Sequence, residues 1–336
     1  MITLEHDRLV FRFPEIHPDA AFALSFQRTL RIPDDGRDHH LPPGLGCFPL
    51  RHVDDYADRL PPECKRRGGI LLPMYQAEAL WLDFDCYGVP SYPMAVKVAT
   101  GKINAVTGGA WSLPLGAAPQ DYLALPEQPW LDGYCVEKGI IRQFVAAPMG
   151  RGITVEEQIS GNAEWGGMQI LAYPMKAQRY EKLKAEWEKE QRALPVLRFA
   201  EALHCDPDAY SSLGLAAGGR MRQHICDDEY GVSAWDQAHA ARCFITILDS
   251  HRWTDVTGEA VPSRPITAAD YAAAGLPWFD YYADAGAVAG SPTLAGVKSI
   301  SNAWKEPPAD AGSFTAPMPA PKVVALGHKQ VREMDS

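Results

Sequence analysis

Short stretches in which hydrophobic and polar residues alternate are the main pattern in this chain. The clearest run extends from Ile140 to Tyr173, where three such stretches follow one another with glycine-containing turns between them. Because successive side chains of a strand point to opposite faces, the pattern predicts strands over 140–147, 153–159 and 167–173.

Alternation of the same kind predicts further strands, and their short turns favour antiparallel neighbours. These strands lie over residues 8–13, 21–32, 70–72, 79–86, 95–99, 102–106, 220–225 and 241–249. One long amphipathic helix is predicted over 177–193, because Tyr180, Leu183 and Trp187 have i, i+3, i+7 spacing within it. Helices therefore do not alternate with strands, as a doubly wound parallel sheet would require.

The composition agrees with many short elements joined by turns. The chain has 336 residues, 28 of them glycine and 28 proline. We predict an α+β, β-dominated fold, with antiparallel strands in a sandwich or open barrel and a few peripheral helices. Residues 1–306 are predicted to form a single globular domain, and residues 307–336 a Pro/Ala-rich extended tail.

Charge and apolar run lengths exclude two classes of partner. The formal net charge is −10, and the basic stripe typical of a nucleic-acid-binding protein is absent. No apolar run reaches the roughly 18–20 residues of a membrane-spanning helix. The first residues are too polar for a signal peptide, and the seven cysteines show no CxxC spacing. We therefore expect a cytoplasmic protein with reduced thiols, no nucleic-acid partner and no membrane partner.

Three polar residues among the apolar ones of 140–173 are the first candidates for chemistry: Arg142, Glu157 and Gln169. A charge buried alone is strongly unfavourable, so buried charges form pairs or change protonation state. If 142–147 and 153–159 form a hairpin, Arg142 and Glu157 lie nearly opposite each other. They then form either a structural ion pair with Gln169 as an amide partner, or a pocket floor. In a pocket, Glu157 acts as acid or base and Arg142 orients an anionic group.

A second candidate lies in the predicted strand 79–86. Trp81, Asp83 and Asp85 share one face of it, and apolar residues occupy the other. Two carboxylates at i, i+2 lie roughly 6.5–7 Å apart along a strand, and with a neighbouring tryptophan they suit a sugar platform or a weak divalent-metal site. The set is either a ligand-binding surface or an ordinary solvent-facing side.

Metal and cofactor motifs do not emerge from the sequence. His224 and Cys226 share one face of a predicted strand, but neither CxxC nor HxxxH spacing is present, so we predict no metal site. The glycines of 214–219 match neither GxGxxG nor GxxxxGK[ST], and there is no GxSxG motif. No cofactor follows from the sequence.

Two classes of function remain open. One is a protein, enzyme or not, that binds a small molecule or carbohydrate in a pocket floored by Arg142, Glu157 and Gln169. The other is a non-catalytic structural or self-assembling protein that forms homo-oligomers through its C-terminal tail and aromatic loops. The first class requires a concave site, and the second requires a large apolar surface patch.

Overall fold

Strands make up most of the regular structure. The computed structural model describes residues 1–191, 212–260, 264–265, 267–273, 276, 278–282, 286–307, 311–315 and 323–327. Its strands, β1 to β18 in chain order, are Ile2–Glu5, Arg8–Arg12, Ala21–Thr29, Asp38–His39, Arg51–His52, Ile70–Met74, Ala79–Cys86, Met94–Thr100, Ile103–Asn104, Leu123–Leu125, Trp130–Leu131, Gly133–Glu137, Ile140–Pro148, Met168–Pro174, Ser212–Arg222, Ala241–Asp249, Trp278–Tyr282 and Val323–Gly327. Its α-helices, α1 to α7, are Pro62–Arg67, Val155–Ser160, Ala177–Gln191, Trp253–Thr257, Ala268–Ala273, Pro292–Ala295 and Ile300–Ala303.

One large, mostly antiparallel sheet organises the molecule. Sixteen strands belong to it, and its main path runs β1-β2-β3-β7-β13-β15-β16-β14-β8-β10 without closing on itself. Two short strands are parallel exceptions: β4 pairs with β15, and β6 with β16. The prediction of a β-dominated α+β fold, with antiparallel strands and a few helices, is confirmed.

Burial along the strands follows the predicted alternation where one face is open to solvent. In β7, Leu82 is fully buried while its neighbour Asp83 is half-buried and Asp85 is exposed. The central strands β8 and β14 are buried at every residue. They contribute Val96, Val98 and Ile170 to the main core.

The predicted strand over 153–159 is wrong, because Val155–Ser160 forms the helix α2. A capping box begins this helix. The hydroxyl of Thr154 accepts from the backbone amide of Glu157, and the Glu157 carboxylate accepts from the amide of Thr154. Gly161 ends the helix in the left-handed conformation. These local bonds satisfy the free backbone groups of a short helix and outweigh the alternating pattern.

The strand predicted over 220–225 instead occupies Ser212–Arg222, and its glycines lie inside it. A side chain at Gly218 would begin 2.5 Å from a methyl group of Val145, and one at Gly219 would begin 2.4 Å from the carbonyl oxygen of Pro33. Glycine inside a strand often marks such a close approach of neighbouring chain. The glycines are therefore part of the sheet packing rather than a loop before it.

The strands over 140–148 and 168–174 are present as predicted, but they are not neighbours. Two strands, β15 and β16, lie between β13 and β14 in the sheet. Helix α3 begins at Ala177 as predicted and is described to Gln191. The two final residues of its predicted range, 192 and 193, lie outside the described residues.

The division into a domain and a tail stays a prediction. Within 307–336, Phe314 is buried and its ring lies 5.8 Å from that of Trp304. The strand Val323–Gly327 runs parallel to Trp278–Tyr282. No helix among the described residues is both long and apolar enough to cross a membrane.

Candidate ligand-binding cleft

Arg142 lies in β13, at a β-bulge between Arg142 and Phe144. The bulge breaks the alternation, so Arg142 is half-buried while Phe144 is fully buried. The guanidinium donates to the backbone carbonyl of Val297 at 3.2 Å, and its Nε is buried without a hydrogen-bond partner in the described structure. Burial lowers the pKa of Arg142 from its ordinary value.

Glu157 has a structural set of partners. Its carboxylate accepts from the backbone amides of Gly150 at 2.7 Å and Gly152 at 3.0 Å, and from the hydroxyl of Thr154 at 2.7 Å. Burial acts to raise the pKa of Glu157, but these hydrogen bonds outweigh it and hold the pKa below its ordinary value. The carboxylate therefore stays ionised and closes the 150–154 turn onto α2.

Gln169 is fully buried in β14 and leads to a different part of the molecule. Its amide donates to the carbonyl of Gly101, and its side-chain oxygen accepts from the guanidinium of Arg242 in β16. The structure thus does not bring Arg142, Glu157 and Gln169 together. The hairpin that would have paired Arg142 with Glu157 does not form, because residues 155–160 are helical. Catalytic roles for Arg142 and Glu157 stay predictions.

The second predicted set shares a face of β7, as expected. Asp85 forms an ion pair with Arg8 at 3.0 Å, and Asp83 accepts from the hydroxyl of Ser25 at 3.1 Å. Burial raises the pKa of Asp83, and Trp81 Nε1 is buried without a hydrogen-bond partner in the described structure. None of Trp81, Asp83 and Asp85 lines the cleft described next, so their ligand-binding role stays a prediction.

A cleft of about 750 Å³ lies beside Arg242. The hairpin β1–β2, helix α1, the start of β6 and residues 242–244 of β16 contribute to its lining. The side chains of interest on its wall are His52, Arg66, Arg67, Trp165, Arg242 and Phe244. Three acids, Asp54, Glu63 and Glu164, also line it.

Two stacked aromatic rings, those of Trp165 and Phe244, are part of this wall. The rings of Trp165 and Phe244 lie 6.0 Å apart at an angle of 23°. The guanidinium of Arg67 and the ammonium of Lys102 lie 4.5 Å and 3.7 Å from the ring centre of Trp165. The guanidinium of Arg242 lies 4.8 Å from that of Phe244. These distances are those of cation–π contacts.

Aromatic rings and neutral oxygens, rather than carboxylates, hold these three cations. Arg67 donates to the backbone carbonyls of Glu164 and Trp165, and Arg242 donates to Gln169. Within the described part of the chain, Arg67, Lys102 and Arg242 form no ion pair with an acid, whereas Arg66 pairs with Glu63 at 3.1 Å. Burial lowers the pKa of Arg242 from its ordinary value. The cleft wall therefore carries three arginines and three acids, and two of those arginines, Arg67 and Arg242, form no ion pair in the described structure.

The buried carboxylate of Glu156 positions Lys102 and Trp165 through their backbone amides. This carboxylate is almost fully buried and accepts from the amide of Gly166 at 2.8 Å. Burial raises the pKa of Glu156, and the amides of Gly166, Lys102 and Trp165 oppose that rise. Gly101 allows this approach, because a Cβ there would lie 2.1 Å from the carboxyl carbon of Glu156. One side chain thus fixes the turn that carries Lys102 and the loop that carries Trp165.

Sequence patterns pointed neither to the cleft residues Arg67, Trp165 and Arg242 nor to Lys102 and Glu156, which contact Trp165. Arg67, Lys102, Trp165 and Arg242 come from separate segments that only the folded sheet brings together. For Glu156 a local signal did exist. Thr154 and Glu157 have the spacing of a capping box, and Glu156 lies in the first turn of the helix that such a box begins.

The described metal-ligating side chains and thiols do not form a further candidate site. In the described ranges, no three His, Cys, Asp or Glu side chains form a group that could hold a metal ion. The cysteines at 47, 64, 86, 135, 226 and 243 are free thiols. Comparison with protein-family models, curated proteins and solved structures finds no match to this chain.

Proposed function

We propose that the protein binds a small organic anion that carries a planar apolar group, and that the cleft around Trp165 and Phe244 is the binding site. The observation that carries the proposal is the set of three cations, Arg67, Lys102 and Arg242, held against aromatic rings without a carboxylate partner in the described structure. Catalysis is not part of the proposal.

Electrostatics support an anion as the ligand. A guanidinium or ammonium paired with a carboxylate has little attraction left for a ligand, whereas one held on a ring keeps its full charge. Arg242 is also partly desolvated, as its lowered pKa reflects. A ligand carboxylate or phosphate would replace lost hydration with charge-assisted hydrogen bonds, which are stronger than neutral ones.

The size and the aromatic wall support a planar group beside the charge. A cavity of about 750 Å³ falls in the usual range of about 300–1,000 Å³ for small-ligand sites. The indole Nε1 of Trp165 is buried and lacks a hydrogen-bond partner among the described residues. Stacking on exposed ring surface contributes about 0.5–1.5 kcal/mol beyond area burial.

Calorimetric titration with 1-naphthyl phosphate and with uncharged 1-naphthol tests the proposal. The two probes share a ring and differ in charge. We expect the phosphate to bind at least about tenfold more tightly, which corresponds to about 1.4 kcal/mol. Arg242→Gln should remove most of that difference, because it deletes one desolvated cation while retaining a hydrogen-bond donor.

The matched control is Arg179→Gln, which removes an exposed arginine of helix α3 outside the cleft. It should leave the affinity for 1-naphthyl phosphate unchanged within about twofold. Equal affinities for the two probes, or equal losses in Arg242→Gln and Arg179→Gln, would contradict an anion site in the cleft.

A further inference from the structure

A second concave surface lies between helix α3 and the proline-containing loop 88–93. It is a groove of about 540 Å³, and it shares no lining residue with the cleft. Its aromatic and acidic lining comprises Tyr180, Trp187, Tyr230, Glu127 and Glu186. Leu183 and the prolines 90, 93 and 126 complete much of the remaining wall. We refer to it as the acidic groove.

Glu127 is the central charged group of the acidic groove. Its Oε1 accepts from the hydroxyl of Tyr230 at 2.6 Å, while its Oε2 is buried and has no hydrogen-bond partner among the described residues. The carboxylate forms no ion pair within the described ranges. A phenol therefore holds this acid, and its negative charge is left without a cation.

The surroundings of Glu127 are also negative. Glu186 lies on the groove wall, and Asp228 and Glu229 are close enough to raise the pKa of Glu127, in addition to the larger effect of burial. No lysine or arginine lines the described groove. Lys184 of helix α3 lies 5.6 Å from the ring centre of Tyr180 and pairs with Asp19 at 2.9 Å.

The ring surfaces suit a positive ligand as well. Trp187 and Tyr230 are half-buried, so part of each ring faces the open groove. A phenol that donates to a carboxylate has a more electron-rich ring, which strengthens its attraction for a cation. Aromatic rings beside a carboxylate are the arrangement that proteins use to bind alkylated ammonium groups.

We propose that the acidic groove is a second binding site, for a small organic cation bearing an alkylated ammonium group. The cation lies against the rings of Trp187 and Tyr230, and the Glu127 carboxylate supplies the opposite charge. A small molecule, rather than a side chain of a protein partner, fits a volume within the usual range for small-ligand sites. The site is independent of the anion site proposed above.

Choline and 3,3-dimethylbutan-1-ol are the probes, because they have nearly the same shape and differ in charge. In calorimetric titrations at low salt, choline should bind at least about fivefold more tightly than the neutral alcohol. Glu127→Gln should reduce that ratio to about one, since it keeps an acceptor for Tyr230 and removes the charge. Arg242→Gln, in the other cleft, should leave choline binding unchanged.

Trp187→Leu provides a second test that does not depend on a buried residue. It removes the half-exposed ring while keeping an apolar side chain, so the fold is retained and choline affinity should fall at least about threefold. Equal affinity for choline and the alcohol overturns the proposal, as does choline binding that survives both Glu127→Gln and Trp187→Leu. Loss of 1-naphthyl phosphate binding alone would contradict the anion site and leave this one standing.

Discussion

The cleft and the acidic groove hold opposite charges on aromatic side chains, through a ring face in the cleft and through a phenol hydroxyl in the groove. In the cleft, Arg67 and Lys102 lie on the ring of Trp165. In the groove, the carboxylate of Glu127 accepts from the hydroxyl of Tyr230. In both places an aromatic side chain occupies the position where an oppositely charged residue would complete an ion pair.

The presence of an aromatic side chain in place of an oppositely charged residue leaves a charge at each surface that a ligand can bind. An ion pair between residues of the chain cancels most of the field at a surface, as for Lys97, which forms a buried pair with Asp121 at 2.7 Å. A ring fixes the position of a charge without cancelling it. The two surfaces therefore keep charges of opposite sign available, and the net charge of −10 favours cations at the groove and opposes anions at the cleft.

The largest effect is expected where the cleft depends on a buried acid. Glu156→Ala removes the acceptor of the amide of Gly166 and of the amides of Lys102 and Trp165. Buried amides left without a partner are strongly unfavourable, so the free energy of unfolding should fall by about 3 kcal/mol. Urea denaturation measures the loss. Affinity for 1-naphthyl phosphate should fall with it, because Lys102 and Trp165 lose their shared anchor.

The neighbouring residue provides the control. Glu157→Ala breaks the capping box of α2 and should lower the free energy of unfolding by about 1–2 kcal/mol. The hydrogen-bond donors to its carboxylate all lie within residues 150–154, outside the cleft. The cleft should therefore keep its affinity for the anion. If both variants lose affinity equally, Glu156 does not position the cleft.

Glu156 and Glu157 lie in a segment that shows which local structures can be predicted from the sequence. Strands such as Ala79–Cys86 and Ala241–Asp249 were predictable because alternation is a local property that survives folding. Residues 153–159 alternate too, yet the capping box between Thr154 and Glu157 makes a helix the better local solution. Over these residues, the short-range hydrogen bonds of a capping box specify a helix more strongly than alternation specifies a strand.

The binding surfaces could not be predicted in the same way. Lys102, Trp165 and Arg242 are far apart in sequence and come together because β8, β14 and β16 are successive neighbours in the sheet. Sequence patterns assign a residue to a face, but strand order decides which faces adjoin. Gln169 was correctly expected to be a buried polar residue, but its partner Arg242 lies on a strand whose position no local pattern specifies.

A further acid, Asp132, has no cation partner in the described structure, and its burial predicts a pH effect on stability. Asp132 is buried, and its carboxylate accepts from the side-chain amide of Gln223 at 2.7 Å. Burial raises the pKa of Asp132 to about 7. The folded protein therefore keeps this proton between about pH 4 and pH 7, whereas the unfolded chain releases it. Stability should fall as pH rises through that window and level off above it.

Asp132→Asn isolates this contribution, because an amide can accept from Gln223 and does not ionise. Relative to the variant, the original chain should lose about 2 kcal/mol of unfolding free energy between pH 5 and pH 7. Urea denaturation at several pH values measures the difference. Parallel pH profiles for the two chains would show that Asp132 does not carry the proton.

The smallest effect is expected from salt, and it compares the two surfaces directly. The cations at and beside the cleft are screened strongly, because the Debye length shortens from about 30 Å at 0.01 M to about 8 Å at 0.15 M. Raising the salt from about 20 mM to about 200 mM should weaken 1-naphthyl phosphate binding by about threefold. Choline binding at the half-buried Glu127 should weaken by less than about twofold, because a desolvated charge is screened less. Arg242→Gln should reduce the salt dependence of 1-naphthyl phosphate affinity and leave that of choline affinity unchanged. If affinity falls equally with salt in every titration, both ligands respond only to the overall charge of the protein.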